Sequence, residues 1–475
     1  MYISENPKLP QHPVFDAVSK AAQELGIHAY VVGGFVRDLI LNRNAKKDID
    51  IVCVGDGLAL AETTANILKP GMKVSVFKNY GTANFRYIDT DVEFVGARKE
   101  SYRSDSRNPI IEQGSLEDDQ KRRDFTINAL AISLNPDDYG KCIDPFNGIE
   151  DLQAGLIKTP LNPDTTFSDD PLGMMRAIRF ASQLQFSIDQ TSFESIQKNK
   201  DRIKIISQER ITDELNKIIL SPYPSIGFRL LFESGLLEII FPEMFALHGV
   251  DTQNNLSHKD NFFHTIKVLD NLSQNTDNLW LRWSAVLHDI AKPNTKRFDP
   301  EHGWTFHGHE ALGADMVPGI FRRMKLPLDQ PMKYVQKLVR LHLRPISLSK
   351  ENISDSAIRR LIFEAGDDID DLLSLCRADI TSKNKIKVKK FLDNFTMVEQ
   401  KVREIEEKDH IRNFQPPIDG ETIMQTFNIP AGPYIGIIKN VIKEAILEGE
   451  IHNDYQEAYD LMIKTGLANG LTPKA

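Results

Sequence analysis

Residues 31–52 read VVGGFVRDLILNRNAKKDIDIV, and this stretch decides the fold of the N-terminal part of the chain. Apolar and β-branched residues dominate its end, so we predict a strand that carries Asp48 and Asp50 on one face, because strand residues two apart point the same way. The Gly-Gly pair predicts a tight turn between a strand and a helix. Two like charges on one face of a buried strand require a compensating cation.

A pair of carboxylates on one face is typical of a site for a hard divalent cation. Mg²⁺ commonly takes one or two protein carboxylates together with phosphate oxygens of its substrate. Gly33 and Gly34 would let backbone N–H groups approach a triphosphate at the helix start. Glu93, in the strand-like segment DVEFVGAR, is a third acid that could complete a two-metal site. Taken alone, a Gly-Gly pair is usually only a turn, and an Asp-x-Asp pair is usually a surface feature.

Length and composition indicate a globular chain of several domains. The 475 residues are 41% hydrophobic, which suits roughly two to four domains. No apolar run is long enough for a transmembrane helix and the N-terminal residues lack the features of a signal peptide, so we expect a soluble cytoplasmic protein with no membrane partner. The three cysteines are far apart and fit no metal spacing, so we expect them to be reduced.

The net charge of −9 is unevenly distributed along the chain. Residues 322–344 contain seven arginines and lysines against one aspartate, and residues 383–390 read KNKIKVKK. Local basic patches can contact RNA phosphates even on an acidic chain. A solvated helix face is an equally good interpretation of either run.

Helical and strand-like segments alternate over residues 11–100, which predicts a mixed sheet with helices. The polar, Gly- and Pro-containing residues 101–121 predict a mobile loop. Helical periodicity dominates from about residue 165 onward. The sequence therefore predicts an α+β head followed by helical parts.

A set of motifs follows in order along the chain, from GGxVRD and the Asp-x-Asp pair to ERITDELNKIILSP at residues 209–222. In this order they resemble the motifs of the class II nucleotidyltransferases, the family of CCA-adding enzymes and bacterial poly(A) polymerases. GGxVRD with the Asp-x-Asp pair and the later strand acid resembles the family's motif A. Three further segments resemble later motifs of the family: KRRDFTINALAI (121–132), DPFNGIEDL (144–152) and ERITDELNKIILSP (209–222). Each motif alone could be a capped helix or an ordinary turn, but their order identifies the head as similar to this family.

The resemblance implies roles for individual residues of this chain. Asp48 and Asp50 would hold Mg²⁺ and act in catalysis, and Glu93 would assist them. The implied nucleotide-binding residues of the head are Gly33, Gly34, Arg37, Arg122, Arg123, Asp124 and Asn128. Among these, the arginines and the asparagine of KRRDFTIN would contact the phosphates and ribose of the nucleotide.

One motif departs from the family pattern. The family uses Glu-Asp-x-x-Arg at a helix start, where the carboxylate accepts from the exocyclic amine of cytosine or adenine and the guanidinium donates to the ring nitrogen. This chain reads DDPLGMMRAIRF at 169–180, so Asp170 is retained and Gly173 stands at the arginine position. An aspartate before proline is also a strong helix start. Arg176 or Arg179 could supply the missing guanidinium, and the sequence leaves that choice open.

Histidines and aspartates in the second half of the chain resemble the HD superfamily. The segments are HKDNFFHT (258–265), VLHDIAKP (286–293), FHGHEALGA (306–314), LHLRP (341–345) and RAD (377–379). The implied metal ligands are His264, His288, Asp289 and Asp379, with His309 and His342 able to hold a second metal or a phosphate. Mn²⁺, Fe²⁺, Ni²⁺ and Zn²⁺ suit such ligands about equally well. A lone helical histidine is usually a core residue, but a His-Asp doublet with partners on both sides is not.

Together the resemblances imply an α+β protein in four parts. These are a palm-like nucleotidyltransferase head with a mixed sheet (1–150), an all-α neck and body with the nucleotide template and RNA binding (151–250), an HD domain (251–375) and a helical tail that contacts tRNA (376–475). The implied reaction is Mg²⁺-dependent attack of the 3′-hydroxyl at the acceptor end of tRNA on the α-phosphate of CTP or ATP, which adds all or part of CCA. Two alternatives remain: a poly(A) polymerase, and an HD-domain phosphohydrolase that acts on cyclic phosphates or RNA ends.

Overall fold

The computed structural model describes residues 8–43, 48–77, 81–101, 110–253, 256–348, 354–381, 384–409, 411–412 and 414–474. The chain divides into two compact units, Met1–Pro242 and Glu243–Ala475. The division into four parts stays a prediction. Within the described ranges, no helix combines the length and the apolar character that crossing a bilayer requires.

The first unit combines strands and helices. Its strands are β1 (His28–Val32), β2 (Asp48–Val54), β3 (Ser75–Phe77), β4 (Thr82–Tyr87), β5 (Thr90–Gly96), β6 (Arg98–Ser101), β7 (Ile110–Gln113), β8 (Ala131–Ser133), β9 (Cys142–Ile143), β10 (Leu156–Ile157) and β11 (Ser187–Ile188). Its helices are α1 (Pro13–Leu25), α2 (Gly34–Ile40), α3 (Gly57–Leu68), α4 (Leu116–Lys121), α5 (Gly148–Ala154), α6 (Pro163–Asp169), α7 (Leu172–Leu184), α8 (Gln190–Asn199), α9 (Gln208–Ile219), α10 (Pro224–Glu233) and α11 (Leu236–Ile240). Short 3-10 helices span Thr126–Asn128 and Lys200–Ile205.

A mixed sheet forms the centre of the first unit. In the described residues it has seven strands in the order β3-β4-β5-β2-β1-β8-β9, and β2 runs parallel to β5 while its other pairs are antiparallel. Ile49 and Ile51 are buried, whereas Asp48 and Asp50 alternate with them on the exposed face. α3 packs on β4 and β5 and also on α1, and the buried faces of both helices form the core there. The predicted α+β fold is confirmed.

The predicted loop over residues 101–121 is wrong for the part that the structure describes. β7 pairs with β6 as an antiparallel hairpin, and α4 follows directly; residues 102–109 lie outside the described residues. The hydroxyl of Ser115 accepts from the N–H of Asp118, while the Asp118 carboxylate accepts from the N–H of Ser115. This capping box, Ser-x-x-Asp, is a local signal for a helix start that the polar composition concealed.

The second unit is mostly helical, and α12 (Pro242–Phe245) spans the boundary. Its further helices are α13 (Asn261–Ser273), α14 (Leu279–Leu287), α15 (Lys292–Thr295), α16 (His309–Arg323), α17 (Gln330–Leu341), α18 (Leu343–Leu348), α19 (Asp355–Ala365), α20 (Ile369–Asp379), α21 (Lys385–Asp409), α22 (Gly420–Phe427), α23 (Pro433–Glu448) and α24 (Tyr455–Ala468). Two small hairpins are formed by β12 (Thr252–Gln253) with β13 (Leu256–Ser257) and by β14 (Arg297–Asp299) with β15 (Gly303–Thr305).

The basic run at residues 322–344 is largely paired inside the second unit. Ion pairs join Arg323 to Glu243, Lys337 to Asp368, Arg340 to Asp315 and Arg344 to Glu364. Local pairing of this kind supports the interpretation of this run as a solvated helix face. In the second run, Lys387, Lys389 and Lys390 are exposed at the start of α21.

Candidate active site and candidate metal centre

Three carboxylates lie side by side on the exposed face of the sheet. Asp50 of β2 pairs directly with Glu93 of β5, and Asp48 lies on the same face two residues earlier. Neighbouring strands are about 4.8 Å apart, so side chains of directly paired residues can coordinate a common cation. All three donors are carboxylate oxygens, the ligands that hard divalent cations such as Mg²⁺ prefer.

The pKa shifts of these acids reflect their crowding. Burial raises the pKa of Asp50 above its ordinary value; Arg123 opposes this shift, and the charge of Asp48 adds to it. Burial also raises the pKa of Glu93, with Asp50 adding to the shift and Arg98 opposing it. A bound cation would relieve the cost of holding these carboxylates ionised together.

Gly33 is a position where the backbone requires glycine. Its φ is 77°, and a Cβ there would lie 3.1 Å from Nη1 of Arg123 and 3.3 Å from Oδ2 of Asp50. The turn therefore places the Arg123 guanidinium and the Asp50 carboxylate close together. The N–H of Gly33 donates to the carbonyl of Leu130 at 3.2 Å, and binding of a triphosphate by the backbone of Gly33 and Gly34 stays a prediction.

A buried aspartate that the sequence analysis missed holds the two predicted phosphate-binding arginines. Asp119 is fully buried; its Oδ1 accepts from Nη2 of Arg122 at 2.6 Å, and its Oδ2 pairs with Nη2 of Arg123 at 3.0 Å. Each oxygen of one carboxylate thus orients one guanidinium. Three and four residues separate Asp119 from its partners, a helical spacing that could have been found in EDDQKRR.

We expect Asp119→Ala to lower the free energy of unfolding by about 3 kcal/mol, because removing one partner leaves two guanidinium groups without their buried counter-charge. The weakened orientation of Arg122 and Arg123 should also lower the affinity for nucleotide. Urea denaturation and nucleotide titration measure the two effects. Glu117→Gln is the matched control, since it breaks an exposed pair with Lys121, and exposed pairs of this kind contribute little to stability. Equal stability of the two variants would contradict this role of Asp119.

A chain of polar contacts links Arg37 to α7. Nη1 of Arg37 donates to Oδ1 of Asn128 at 2.8 Å, and Nδ2 of Asn128 donates to Oδ1 of Asp124 at 3.1 Å. Oδ2 of Asp124 pairs with Nη2 of Arg176 at 2.7 Å. Asp38 pairs with Arg37 from the other side at 2.8 Å. Arg37 and Asn128 are buried, so their side chains brace the site from within.

A cavity of about 880 Å³ brings the predicted residues of the head together. Its lining includes Gly33, Gly34, Arg37, Asp48, Asp50, Glu93, Arg122, Arg123, Asp124, Asn128, Asp170, Gly173, Arg176 and Arg179. Carboxylates and arginines that line one cavity suit a substrate that carries phosphates and binds a divalent cation. Every nucleotide-binding and catalytic residue predicted for the head therefore lines one cavity, whereas their individual roles stay predictions.

The two arginines that could replace the missing template arginine differ in their surroundings. Arg179 is buried, donates through Nε to Glu214 at 2.5 Å and through Nη1 to Gln183 at 3.0 Å, and lies over the Phe180 ring. Arg176 pairs with Asp124, but 38% of its side chain is exposed, against 10% for Arg179. Arg176 is therefore the better available donor.

Asp170 and Gly173 occupy the ends of neighbouring helices. Asp170 ends α6, and its Oδ1 accepts from the N–H of Leu172 at 3.3 Å, so its carboxylate also helps to start α7. Gly173 is buried in the first turn of α7, where an added Cβ would lie 3.3 Å from Cδ1 of Phe167. A larger side chain at 173 must displace that buried ring.

In the second unit, four histidines surround two aspartates. Nε2 of His264 lies 2.9 Å from Oδ1 of Asp379, and Nε2 of His288 lies 3.2 Å from Oδ2 of Asp289. Oδ1 of Asp289 faces Nε2 of His309 at 3.2 Å and Nε2 of His342 at 3.9 Å. Two groups of candidate ligands result: His264 with His288 and Asp379, and Asp289 with His309 and His342.

The orientation of these histidines fits a metal centre. Nδ1 of His288, His309 and His342 is 2.7 Å from the carbonyl oxygen of Ala285, Phe306 and Val339, respectively. Such contacts fix the ring and direct Nε2 inward, as in many metal sites. The three Nε2 atoms are buried, and although those of His288 and His309 lie 3.2 Å from Asp289 oxygens, none makes a well-aligned hydrogen bond in the described part of the chain. Unsatisfied buried nitrogens beside carboxylates are the donor set that a divalent transition metal would satisfy.

The electrostatics of the centre also favour a bound cation. Burial lowers the pKa of His288, but Asp289 and Asp379 outweigh burial and raise it to about 10. Burial and the charge of His288 lower the pKa of His342 to about 4. The carboxylates of Asp289 and Asp379 thus favour positive charge at the position where the histidines converge. A divalent cation would supply that charge while leaving the imidazoles neutral.

Three family models match successive parts of the chain. A model described as Poly A polymerase head domain matches residues 29–158, and one described as probable RNA and SrmB- binding site of polymerase A matches residues 185–247. An HD domain model matches residues 261–382. Nucleotidyltransferase and HD domains both imply dependence on divalent metal ions.

Similar proteins cover most of the chain. A CCA-adding enzyme of Geobacillus sp. is 30% identical over 455 residues, which span 95% of this chain and 97% of the relative. An A-adding tRNA nucleotidyltransferase of Deinococcus radiodurans is 30% identical over 348 residues, 71% of this chain and 76% of the relative. The solved CCA-adding enzyme of Thermotoga maritima in complex with tRNA has the same fold, with a TM-score of 0.61 and 22% identity over 99% of this chain and 100% of that chain.

Proposed function

The chain belongs to the family of tRNA nucleotidyltransferases that contains the CCA-adding and A-adding enzymes, and from this premise we propose that it extends the 3′ end of tRNA with CTP and ATP. The observation that carries the proposal is the set of three carboxylates, Asp48, Asp50 and Glu93, in a cavity that also holds Arg122 and Arg123. Carboxylates and arginines so arranged suit a nucleoside triphosphate with its cation.

The reaction is a displacement at phosphorus. The 3′-oxygen of the RNA forms a bond to the α-phosphorus, and the bond from that phosphorus to the bridging oxygen of the β-phosphate breaks. Pyrophosphate leaves with the electron pair, and the hydroxyl proton passes to solvent. Arg122 and Arg123, oriented by Asp119, would neutralise the charge that develops on the leaving pyrophosphate.

Asp48, Asp50 and Glu93 would hold Mg²⁺. When bound, this ion lowers the pKa of the attacking hydroxyl and neutralises charge on the phosphates. The carboxylates contribute the fixed geometry, since β2 and β5 place them in register. In the second unit, His264, His288, Asp289, Asp379, His309 and His342 would hold a divalent transition metal.

The comparisons favour tRNA over a general poly(A) substrate. Relatives that align over most of the chain are a CCA-adding and an A-adding enzyme, whereas the poly(A) polymerase descriptions belong to models that match only residues 29–158 and 185–247. An HD-domain phosphohydrolase does not account for the carboxylate cavity of the first unit. We therefore favour the tRNA substrate and the nucleotides CTP and ATP.

Incubation with labelled CTP and ATP, separately and together, tests the proposal on tRNA truncated at successive positions of its 3′ end. We expect both nucleotides to be added and extension to stop when CCA is complete. If ATP is the only nucleotide added, and only tRNA that already ends in CC accepts it, the activity is limited to the last nucleotide. Long adenosine tails on unrelated RNA would instead indicate a poly(A) polymerase and contradict the proposal.

Arg176 is the residue that we propose to read the ring nitrogen of the base in place of the missing arginine at 173. It lines the cavity together with Asp170, and its pairing with Asp124 would hold the guanidinium in place. Asp170 would accept from the exocyclic amine that cytosine and adenine share. Guanine and uracil present the opposite pattern, so the pair would select CTP and ATP.

We expect Arg176→Ala to reduce the preference for CTP and ATP over UTP and GTP by about tenfold, because a good base-edge contact contributes roughly 1–3 kcal/mol. Arg179→Ala is the comparison, since its loss should lower stability through Glu214 without changing selectivity. Gly173→Arg should crowd Phe167 and lower the melting temperature instead of sharpening selection. Incorporation of all four nucleotides by each variant is the measurement. Unchanged selectivity of Arg176→Ala would exclude Arg176 from this role.

A further inference from the structure

A row of side chains continues from the carboxylates to the edge of the sheet. Asp50 pairs with Glu93, Glu93 with Asn84, and Asn84 with Ser75. Directly paired residues of neighbouring strands point to the same face. Asn84 and Ser75 therefore lie on the carboxylate face, one and two strands beyond Glu93.

The rows on either side add an aromatic ring and a cation to this face. Phe77 of β3 pairs with Thr82, one row beyond Asn84, and Arg86 of β4 pairs with Asp91 on the other side. The Phe77 residue is 47% exposed, and the Arg86 side chain is 65% exposed with its Nε at 4.0 Å from Asp91. An exposed aromatic ring and an exposed arginine on one sheet face, here one row to either side of Asn84, are typical of platforms for single-stranded RNA.

The cavity lies on the opposite side of the carboxylates. Among the described residues, no side chain of β3 or β4 lines it, and its lining stops at Glu93 in that direction. Of its predicted phosphate-binding groups, Arg123 lies beside Gly33, which directly follows β1, and β1 lies across β2 from β5. The cavity and the β3–β4 face are therefore separated by the row of carboxylates.

The geometry of in-line displacement indicates which substrate lies on the β3–β4 face. The attacking oxygen approaches the phosphorus opposite to the leaving pyrophosphate. If the triphosphate lies beside Arg122 and Arg123, the 3′-hydroxyl must arrive from the side of Glu93. We propose that the 3′-terminal nucleotides of the tRNA primer lie over β4 and β3, with a base stacked on Phe77 and the sugar-phosphate chain beside Arg86. This inference rests on the proposed function.

The chemistry of the face suits a primer whose end changes with every addition. Stacking on an aromatic ring accepts any base, because every base has a π-face. Asn84 offers both a donor and an acceptor to a ribose or base edge. The exposed guanidinium of Arg86, whose Nε lies 4.0 Å from Asp91, is a cation of this face that can approach the phosphates. Such a platform would hold the primer end without reading its sequence.

The test uses the full chain and a fluorescent tRNA that lacks its 3′-terminal CCA. We expect Phe77→Ala combined with Arg86→Gln to weaken binding of this RNA by about tenfold, as measured by anisotropy in EDTA without nucleotide. The KM for tRNA should rise by a similar factor, whereas the KM for CTP should stay unchanged. Arg86→Lys should restore part of the affinity.

Two matched controls separate this role from a general effect on the fold. Val76→Ala changes the neighbour of Phe77 that points to the other face of the same strand, and Lys20→Gln removes an exposed charge from α1. Both should bind the RNA like the wild type. Melting temperatures of all variants should agree, because the substituted side chains are exposed.

An unchanged affinity and tRNA KM in the folded double variant would overturn the inference, and so would a rise in the KM for CTP in place of tRNA. If the wild type adds nucleotides and the double variant matches it, the inference fails while the proposed function stands. A wild type that adds no nucleotide to tRNA would contradict the proposed function itself, and this inference with it.

Discussion

We expect Asp48→Asn and Asp50→Asn each to reduce nucleotide addition by about a thousandfold or more, because each removes one of the carboxylates that hold the catalytic cation. A loss of about 4 kcal/mol of transition-state stabilisation, within the range that metal ions supply, corresponds to that factor. The rate of CTP incorporation into truncated tRNA under saturating conditions is the measurement. Amide oxygens retain the shape of the site but lose the charge.

The fold should tolerate these substitutions. Because burial raises the pKa of Asp50 above its ordinary value, the ionised carboxylate destabilises the folded state at any pH above the unfolded pKa. A neutral asparagine removes that cost, so the melting temperature without metal should be unchanged or higher. Asp16→Asn, an exposed acid of α1, is the control and should keep full activity. Near-normal incorporation by either active-site variant would remove the catalytic assignment.

The second large effect is expected in the other compact unit. Asp289→Asn should lower the affinity of the unit for a divalent transition metal by at least about a hundredfold, since even residues that only orient metal ligands contribute tenfold to a hundredfold. Asp289 faces both histidine groups, His264 and His288 through Oδ2, and His309 and His342 through Oδ1. One substitution therefore affects both candidate ligand sets.

Metal content after dialysis, determined by mass spectrometry, tests this expectation. Asp315→Asn is the control, because this exposed aspartate pairs only with Arg340 in the described part of the chain. Nucleotide addition should persist in Asp289→Asn, because the catalytic carboxylates belong to the first unit. Unchanged metal content would mean that the histidines are packing residues. Loss of addition in a folded variant would show that the second unit is needed to hold the RNA.

Local patterns in the sequence were sufficient to predict the placement of residues whose geometry depends on their immediate neighbours. Asp48 and Asp50 share a face because strand side chains alternate with a period of two, and Gly33 was recognisable as the turn before α2. The HD resemblance likewise placed His264, His288, Asp289 and Asp379 together, and the structure brings them within contact distance. These outcomes follow from short-range periodicity or from motifs that occur as a set.

Contacts between residues far apart in the chain were decided only by the tertiary structure. Glu214 of α9 holds Arg179 of α7, and this pairing, which a single sequence cannot reveal, leaves Arg176 as the available donor at the base site. The N–H of Gly33 is occupied by Leu130 because β1 pairs with β8, almost a hundred residues later. The physical reason is that backbone periodicity is set by each residue and its neighbours, whereas the partners of buried charges and N–H groups are set by which elements pack together.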